Sequence, residues 1–170
     1  MEVWTGNIWK LVTREDAIVI PTNIGWRNDG TNVMGRGLAR DAHRRWPGLA
    51  AAYGQACKIS RSQTGIIAWE APRDFPAKAV ILFPTKPLFE SKPYMSWQNK
   101  SSYQLIEKSA EEMNIMAVTW PVRHVLVPIV GCGNGSLDAR AIIPLLHKKI
   151  VDPKCVLVMR QNDVPVPLAE

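Results

Sequence analysis

The chain has 170 residues, 46% of them hydrophobic, which suffices for one compact core and leaves little for a second. Its 21 Lys and Arg against 15 Asp and Glu leave a net charge of +6, which suits an anionic ligand and falls short of a histone-like polyanion binder. The sequence carries no apolar run of about 18–20 residues, no signal-peptide pattern in MEVWTGNIWK, no CxxC among its 3 Cys and no zinc spacing among His43, His124 and His147, so the expectation is one cytoplasmic domain over residues 1–170, with no membrane contact, metal or cofactor.

The first strand expected is Ala17–Ile20, a β-branched run closed by Pro21-Thr22-Asn23. Residues 24–37 (IGWRNDGTNVMGRG) hold 4 glycines and the turn pair Asp29-Gly30, which predicts a long loop. Leu38, Ala42 and Trp46 then mark one face of a helix that Pro47 ends, and a second helix over Gly48–Lys58 carries Leu49, Ala52, Tyr53 and Ala56 on its apolar stripe. Residues 65–69 and 78–83 read as strands joined by a Pro-containing turn, a spacing that allows an antiparallel pair. An irregular stretch to about Trp97 leads into a long helix with Tyr103, Ile106, Ala110 and Met113 in register. A strand over 124–129, a loop over 130–136, a helix over about 137–150, a strand over 155–159 and an extended tail at Val164–Pro167 complete the pattern. Strands that are apolar throughout and alternate with helices predict a mostly parallel sheet covered on both faces, a three-layer α/β/α domain.

The strongest local feature is a strand that runs through Gly131-Cys132-Gly133-Asn134-Gly135-Ser136 directly into a helix. Closely spaced glycines let the backbone turn and bring N–H groups toward a ligand, and the helix start adds partial positive charge, an arrangement suited to phosphate. The segment is neither a Walker A loop nor a GxGxxG fingerprint, and a tight turn without a ligand is the alternative reading. Asn32-Val33-Met34-Gly35-Arg36-Gly37 is a second loop of the same kind. Two such loops at strand ends can hold two linked phosphates, which points to a dinucleotide or nucleotide-sugar.

Other residues carry two readings each. Asn23 offers an amide to sugar hydroxyls or closes an Asx turn. Lys86, in Phe-Pro-Thr-Lys-Pro, is either a solvated surface lysine or a partly desolvated nucleophile or cation. Asp138 is a helix cap, or an acid/base group if it faces a cleft. Cys132, at a helix entrance, is either a nucleophile or, there being no His near it in sequence, a packing residue. Arg36, Arg40 and Arg44 recur on one helix face, either simply solvated or laid along a nucleic-acid backbone.

Taken together these segments resemble the macro domains, which are ADP-ribose-binding α/β/α modules. The resemblance rests on Gly6-Asn7-Ile8, on Ile20-Pro21-Thr22-Asn23, on Val33–Ala39 (VMGRGLA) and on Pro128–Asp138 (PIVGCGNGSLD). With Phe83-Pro84-Thr85-Lys86 added, the set is most similar to the branch that contains the terminal ADP-ribose protein glycohydrolases and the antitoxins that remove ADP-ribose from DNA. The resemblance implies a macro-domain sandwich around a mixed, mostly parallel sheet. It also implies adenine contacts from Asn7 and Ile8, a distal-ribose contact from Asn23, and a diphosphate held by Val33, Gly35, Arg36 and Gly37 and by Gly131, Cys132, Gly133, Gly135, Ser136 and Leu137. Met34 and Asn134 would line the ribose end beside Thr85. Lys86 would attack or polarise the anomeric carbon, and Asp138 is the candidate acid/base partner.

Departures from the family pattern are specific. Asn7 stands where the family usually has an aspartate, and Gly135 stands where its protein-directed hydrolases carry an acidic residue, leaving only Asp138 nearby. Residues 25–31 look like an insertion that brings Trp26 and Arg27 to the cleft or to a partner. The function implied is hydrolytic removal of ADP-ribose from DNA, protein or a small molecule. The alternatives are a non-catalytic binder of ADP-ribose or a related nucleotide, an ADP-ribose 1''-phosphate phosphatase, and a nucleic-acid module built on the arginine stripe.

Overall fold

The interior of the protein, described for residues 1–163 by a computed structural model, is divided into two cores by its sheet. The expected tail at Val164–Pro167 lies outside the described residues. The elements in chain order are β1 (Glu2–Thr5), α1 (Ile8–Leu11), β2 (Ala17–Asn23), α2 (Gly37–Arg45), α3 (Leu49–Ser60), β3 (Ile67–Glu70), β4 (Ala79–Lys86), α4 (Tyr103–Thr119), β5 (Val125–Pro128), α5 (Ala139–Lys149) and β6 (Cys155–Met159). Short 3-10 turns occupy Arg61–Gln63, Pro93–Gln98 and Gln161–Asp163.

Alternate residues of a strand face opposite sides, so strands apolar at every position need cover on both. Ala17, Val19, Ile81, Phe83, Val125, Val127 and Leu157 meet Ile106, Ala110 and Met113 of α4 and Ile142 and Leu146 of α5. Ile18, Ile20, Val80, Leu82, Leu126 and Val158 meet Ile8 of α1, Ala42 of α2 and Leu49 and Tyr53 of α3. The result is the expected three-layer α/β/α sandwich. The sheet order is β1-β6-β5-β2-β4-β3, and every neighbouring pair is parallel except β3 with β4. No helix among the described residues is long and apolar enough to cross a membrane.

Two elements have no counterpart in the sequence expectations. Glu2, Val3 and Thr5 are exposed, so β1 shows no apolar run; it forms by backbone pairing with β6, from Glu2↔Val156 to Thr5↔Met159. α1 is a single turn, started where the Asn7 side chain accepts a hydrogen bond from the Trp9 N–H at 2.9 Å.

α3 seats the chain that leaves β2. The buried Tyr53 hydroxyl lies 2.7 Å from Thr22 Oγ1, and the Asn32 N–H donates to the Ala50 carbonyl at 2.9 Å. Gly54 makes that approach possible, because a Cβ there would stand 2.5 Å from Asn32 N.

Candidate functional site

β2 and β5 are adjacent in the sheet, but the chain leaving β2 enters α2 on one face while the chain leaving β5 enters α5 on the other. Connections that diverge from neighbouring strands open a crevice at their carboxyl ends, the usual ligand position in an open α/β sheet. Here the crevice is a cleft of about 1780 Å³. Val33, Gly35, Arg36 and Gly37 line it from the first loop, and Gly131, Cys132, Gly133, Asn134, Gly135 and Leu137 from the second.

Positive φ angles at Gly37 (58°) and Gly131 (76°) are what permit these turns. The loops face each other, since a Cβ on Gly37 would point to Asn134 Nδ2 at 3.9 Å. Among the described residues, no protein acceptor is paired with the N–H groups of residues 35–37 or 132–135. Two opposed sets of free amides, one opening α2 and the other preceding α5, make an anion seat that uses no charged side chain.

Asn23 and Lys86 are register partners at the ends of β2 and β4, beside an irregularity at Thr22/Asn23. Asn23 Nδ2 donates to the Val33 carbonyl at 2.9 Å, and Oδ1 accepts from Gly25 N–H at 3.0 Å and Asn32 Nδ2 at 3.1 Å. This is the Asx-turn reading realised, and it fixes the first loop. A carboxamide has two N–H groups, so one remains for a ligand hydroxyl.

Lys86 Nζ lies in the cleft and donates to the Trp97 carbonyl at 2.7 Å. Desolvation, and then the nearby Arg36 guanidinium, push its pKa below the ordinary lysine value. Arg36 itself sits over the Trp97 ring, 5.5 Å from its centroid. A half-buried amine with a weakened proton, held at a strand end, can act as a nucleophile or, protonated, polarise a leaving oxygen.

Asp138 also lines the cleft, but its carboxylate caps α5 by accepting from Arg140 N–H at 2.9 Å and pairs with the Arg140 guanidinium at 2.9 Å. Those contacts, the Arg140 side chain first, hold its pKa below the usual carboxylate range. Asp138 thus caps α5 from within the cleft lining, so the cap and the cleft-facing carboxylate are the same group. Burial, with the Asp138 and Asp163 charges, pushes the Cys132 thiol up to about 11, consistent with a packing residue.

No family model matches the chain. The DNA ADP-ribosyl glycohydrolase of Mycobacterium tuberculosis is 33% identical over 108 residues, 62% of this chain and 28% of that protein, so the chain spans less than a third of the curated relatives it matches. The macrodomain of Mycobacterium tuberculosis DarG superposes with a TM-score of 0.69 at 25% identity, covering 93% of this chain and 96% of that one. The fold is a macrodomain. Thermosipho africanus DarTG, solved in complex with ADP-ribose, shares it with a TM-score of 0.72 at 20% identity, over 98% of this chain and 43% of that one.

Most residues singled out in the sequence line the macrodomain cleft, including Asn7, Ile8 and Thr85. Asn7 Oδ1 is already engaged by the Trp9 N–H, so its Nδ2 is the more available contact to a base. Met34, expected at the ribose end, is instead buried in the core under α2 and α3 with 4% exposure. Ser136 is exposed, outside the cleft lining, and adopts φ 63°. Trp26 does not cover the cleft; it is buried with the Arg61 guanidinium 5.4 Å above its ring, whereas Arg27 does reach the lining. Arg40 and Arg44 lie on the exposed surface of α2, away from the cleft wall.

Several cleft residues have no counterpart in the sequence reading, Tyr94, Trp97 and Ser101 among them. The Ser101 N–H donates to the Gly135 carbonyl at 3.0 Å, and its buried Oγ has no partner among the described residues. Nothing local in the sequence distinguishes these side chains, because their place depends on how the segment after β4 folds back.

Proposed function

We propose that this macrodomain binds ADP-ribose between its two glycine loops and releases it from modified DNA, with Lys86 as the reacting group. The observation that carries the reading is the half-buried, pKa-lowered Lys86 in the same cleft as two facing sets of unpaired loop amides. The names of the relatives support DNA as the carrier. The site draws on residues from Asn7 to Asp138, so the reading treats residues 1–170 as one unit.

The diphosphate takes the amides of residues 35–37 and 132–135, adenine lies toward Asn7 and Ile8, and the distal ribose reaches the Asn23–Lys86 pair. The neutral Lys86 amine bonds to the anomeric carbon while the bond from that carbon to the DNA breaks, and the departing group takes up the proton that the newly bonded nitrogen releases. Water then breaks the carbon–nitrogen bond, freeing ADP-ribose and restoring the amine. Arg36 serves twice, lowering the proton affinity of Lys86 and offering a cation to DNA phosphates, with Arg40 and Arg44 extending that positive face along α2.

Calorimetric titration with ADP-ribose tests the ligand placement. Gly133 has open space around it, so Gly133→Glu folds but brings bulk and negative charge to the phosphate seat. Binding is expected to fall at least a hundredfold; affinity equal to wild type would refute the placement.

A further inference from the structure

Immediately beyond Lys86 the chain forms a strap, residues 87–100, that carries three aromatic side chains toward the surface. Tyr94 is 44% exposed and Phe89 38% exposed, and Tyr94 and Trp97 form part of the cleft wall. Trp97 adjoins the reacting group, its carbonyl 2.7 Å from Lys86 Nζ.

The strap is rigidly built. Ser96 Oγ accepts from the Phe89 N–H at 2.9 Å and donates to the Pro93 carbonyl at 2.8 Å, while Asn99 Nδ2 donates to the Pro87 carbonyl at 2.9 Å. It also rests directly on β2's exit, where only glycine fits: a Cβ on Gly25 would collide with the Pro93 carbonyl and stand 2.6 Å from Ser96 Cβ. Its charges are mainly positive. Lys92 and Lys100 are exposed, Arg36 covers Trp97, and the acidic Glu90 is paired with Arg61 at 3.3 Å.

Exposed aromatics interleaved with cations on a preorganised surface are what a single strand needs, since every base has a face to stack and every linkage a charge to neutralise. A base whose ADP-ribosyl bond enters this cleft must leave any duplex stack, and an aromatic wall offsets part of that loss. We propose that the strap is a single-stranded DNA platform, on which Tyr94 and the Trp97–Arg36 pair stack the modified base and its neighbour while Lys92 and Lys100 hold the flanking phosphates. The proposal rests on the functional reading above and names the part of the substrate that reading leaves unassigned.

The test is fluorescence anisotropy of the full chain with a fluorescein-labelled, unmodified eight-nucleotide single strand, beside calorimetry with free ADP-ribose. Tyr94→Leu, which keeps apolar bulk but loses the ring, is expected to bind the strand about tenfold more weakly, the loss of one stacked base. The strand should lose at least five times more affinity than free ADP-ribose does, and Tyr94→Phe should restore it. Lys92→Gln with Lys100→Gln should flatten the dependence of log affinity on log salt by about 1.4, two contacts' worth.

Unchanged strand affinity in Tyr94→Leu, a preference for duplex, or an equal Tyr94→Leu defect in release from an ADP-ribosylated peptide would each overturn the proposal. Failure of the wild type to bind ADP-ribose would overturn the functional reading instead, and the unmodified strand decides the platform separately.

Discussion

Gly135 is the position where the second loop is most sharply constrained, and Gly135→Ala measures that constraint. A Cβ there would overlap Ser101 Oγ and stand 2.5 Å from the Gly131 carbonyl oxygen and 2.8 Å from Ser101 Cβ. The backbone φ is not positive, so the obstacle is space and not conformation. Rotating Ser101 relieves one contact and leaves two. Moving the loop away strains the 3.0 Å bond from Ser101 N–H to the Gly135 carbonyl. Overpacking of this kind costs about 1–3 kcal/mol, and weakening that bond adds about 0.5–1 kcal/mol. At roughly 2–4 °C per kcal/mol for a chain of this size, the melting temperature should fall by about 5–15 °C. Gly133→Ala is the control, because nothing lies within 4 Å of its Cβ; it should match wild type or gain up to about 1 kcal/mol through a less flexible unfolded chain. Thermal and urea denaturation of both variants read the difference, and ADP-ribose affinity reads the displaced loop. A Gly135→Ala protein as stable as Gly133→Ala, with wild-type affinity, would refute the described packing of Ser101 against the loop.

Arg36→Gln removes the cation beside Lys86, so the Lys86 pKa should rise part of the way back toward 10.5 and the rising limb of the rate against pH should move to higher pH. At a fixed pH below that limb less neutral amine is present and release of ADP-ribose slows; a limb that stays in place would show that Arg36 does not act on Lys86. Asp138→Asn keeps a good helix cap while removing the carboxylate. With capping as its whole contribution, single-turnover release should change by less than about threefold, and a loss of a hundredfold would assign Asp138 an acid/base role.

Much of this architecture is legible in the residues, and the exceptions have physical causes. The runs Ala17–Ile20 of β2 and Ala79–Phe83 of β4 are apolar at every position because both faces are covered, and that property is visible without a structure. β1 is not, because its side chains are exposed and its stability comes from pairing with a strand more than 150 residues away. The two loops stand out because glycine at positive φ is a local requirement, as at Gly37 and Gly131. Which loop side chains face the cleft is not local: Met34 joins the buried core that also holds residues of α2 and α3, while Val33 lines the cleft. Asn23 and Asp138 show the same division in one residue each. Their Asx-turn and capping geometries are written in short range, whereas the free N–H of Asn23 acquires meaning only from Lys86 across the strand pair. Trp97 is the clearest omission, since its contact with Lys86 spans 11 residues through a strap without periodicity.

In the proposed reaction Lys86 breaks the bond between ADP-ribose and its carrier. Single-turnover release of ADP-ribose from an ADP-ribosylated single-stranded oligonucleotide, compared between wild type and Lys86→Ala with ADP-ribose binding measured in parallel, tests it most directly. Release by the wild type with a loss of at least a hundredfold in Lys86→Ala, while that variant still binds ADP-ribose, is the predicted result; equal release by both proteins would contradict it.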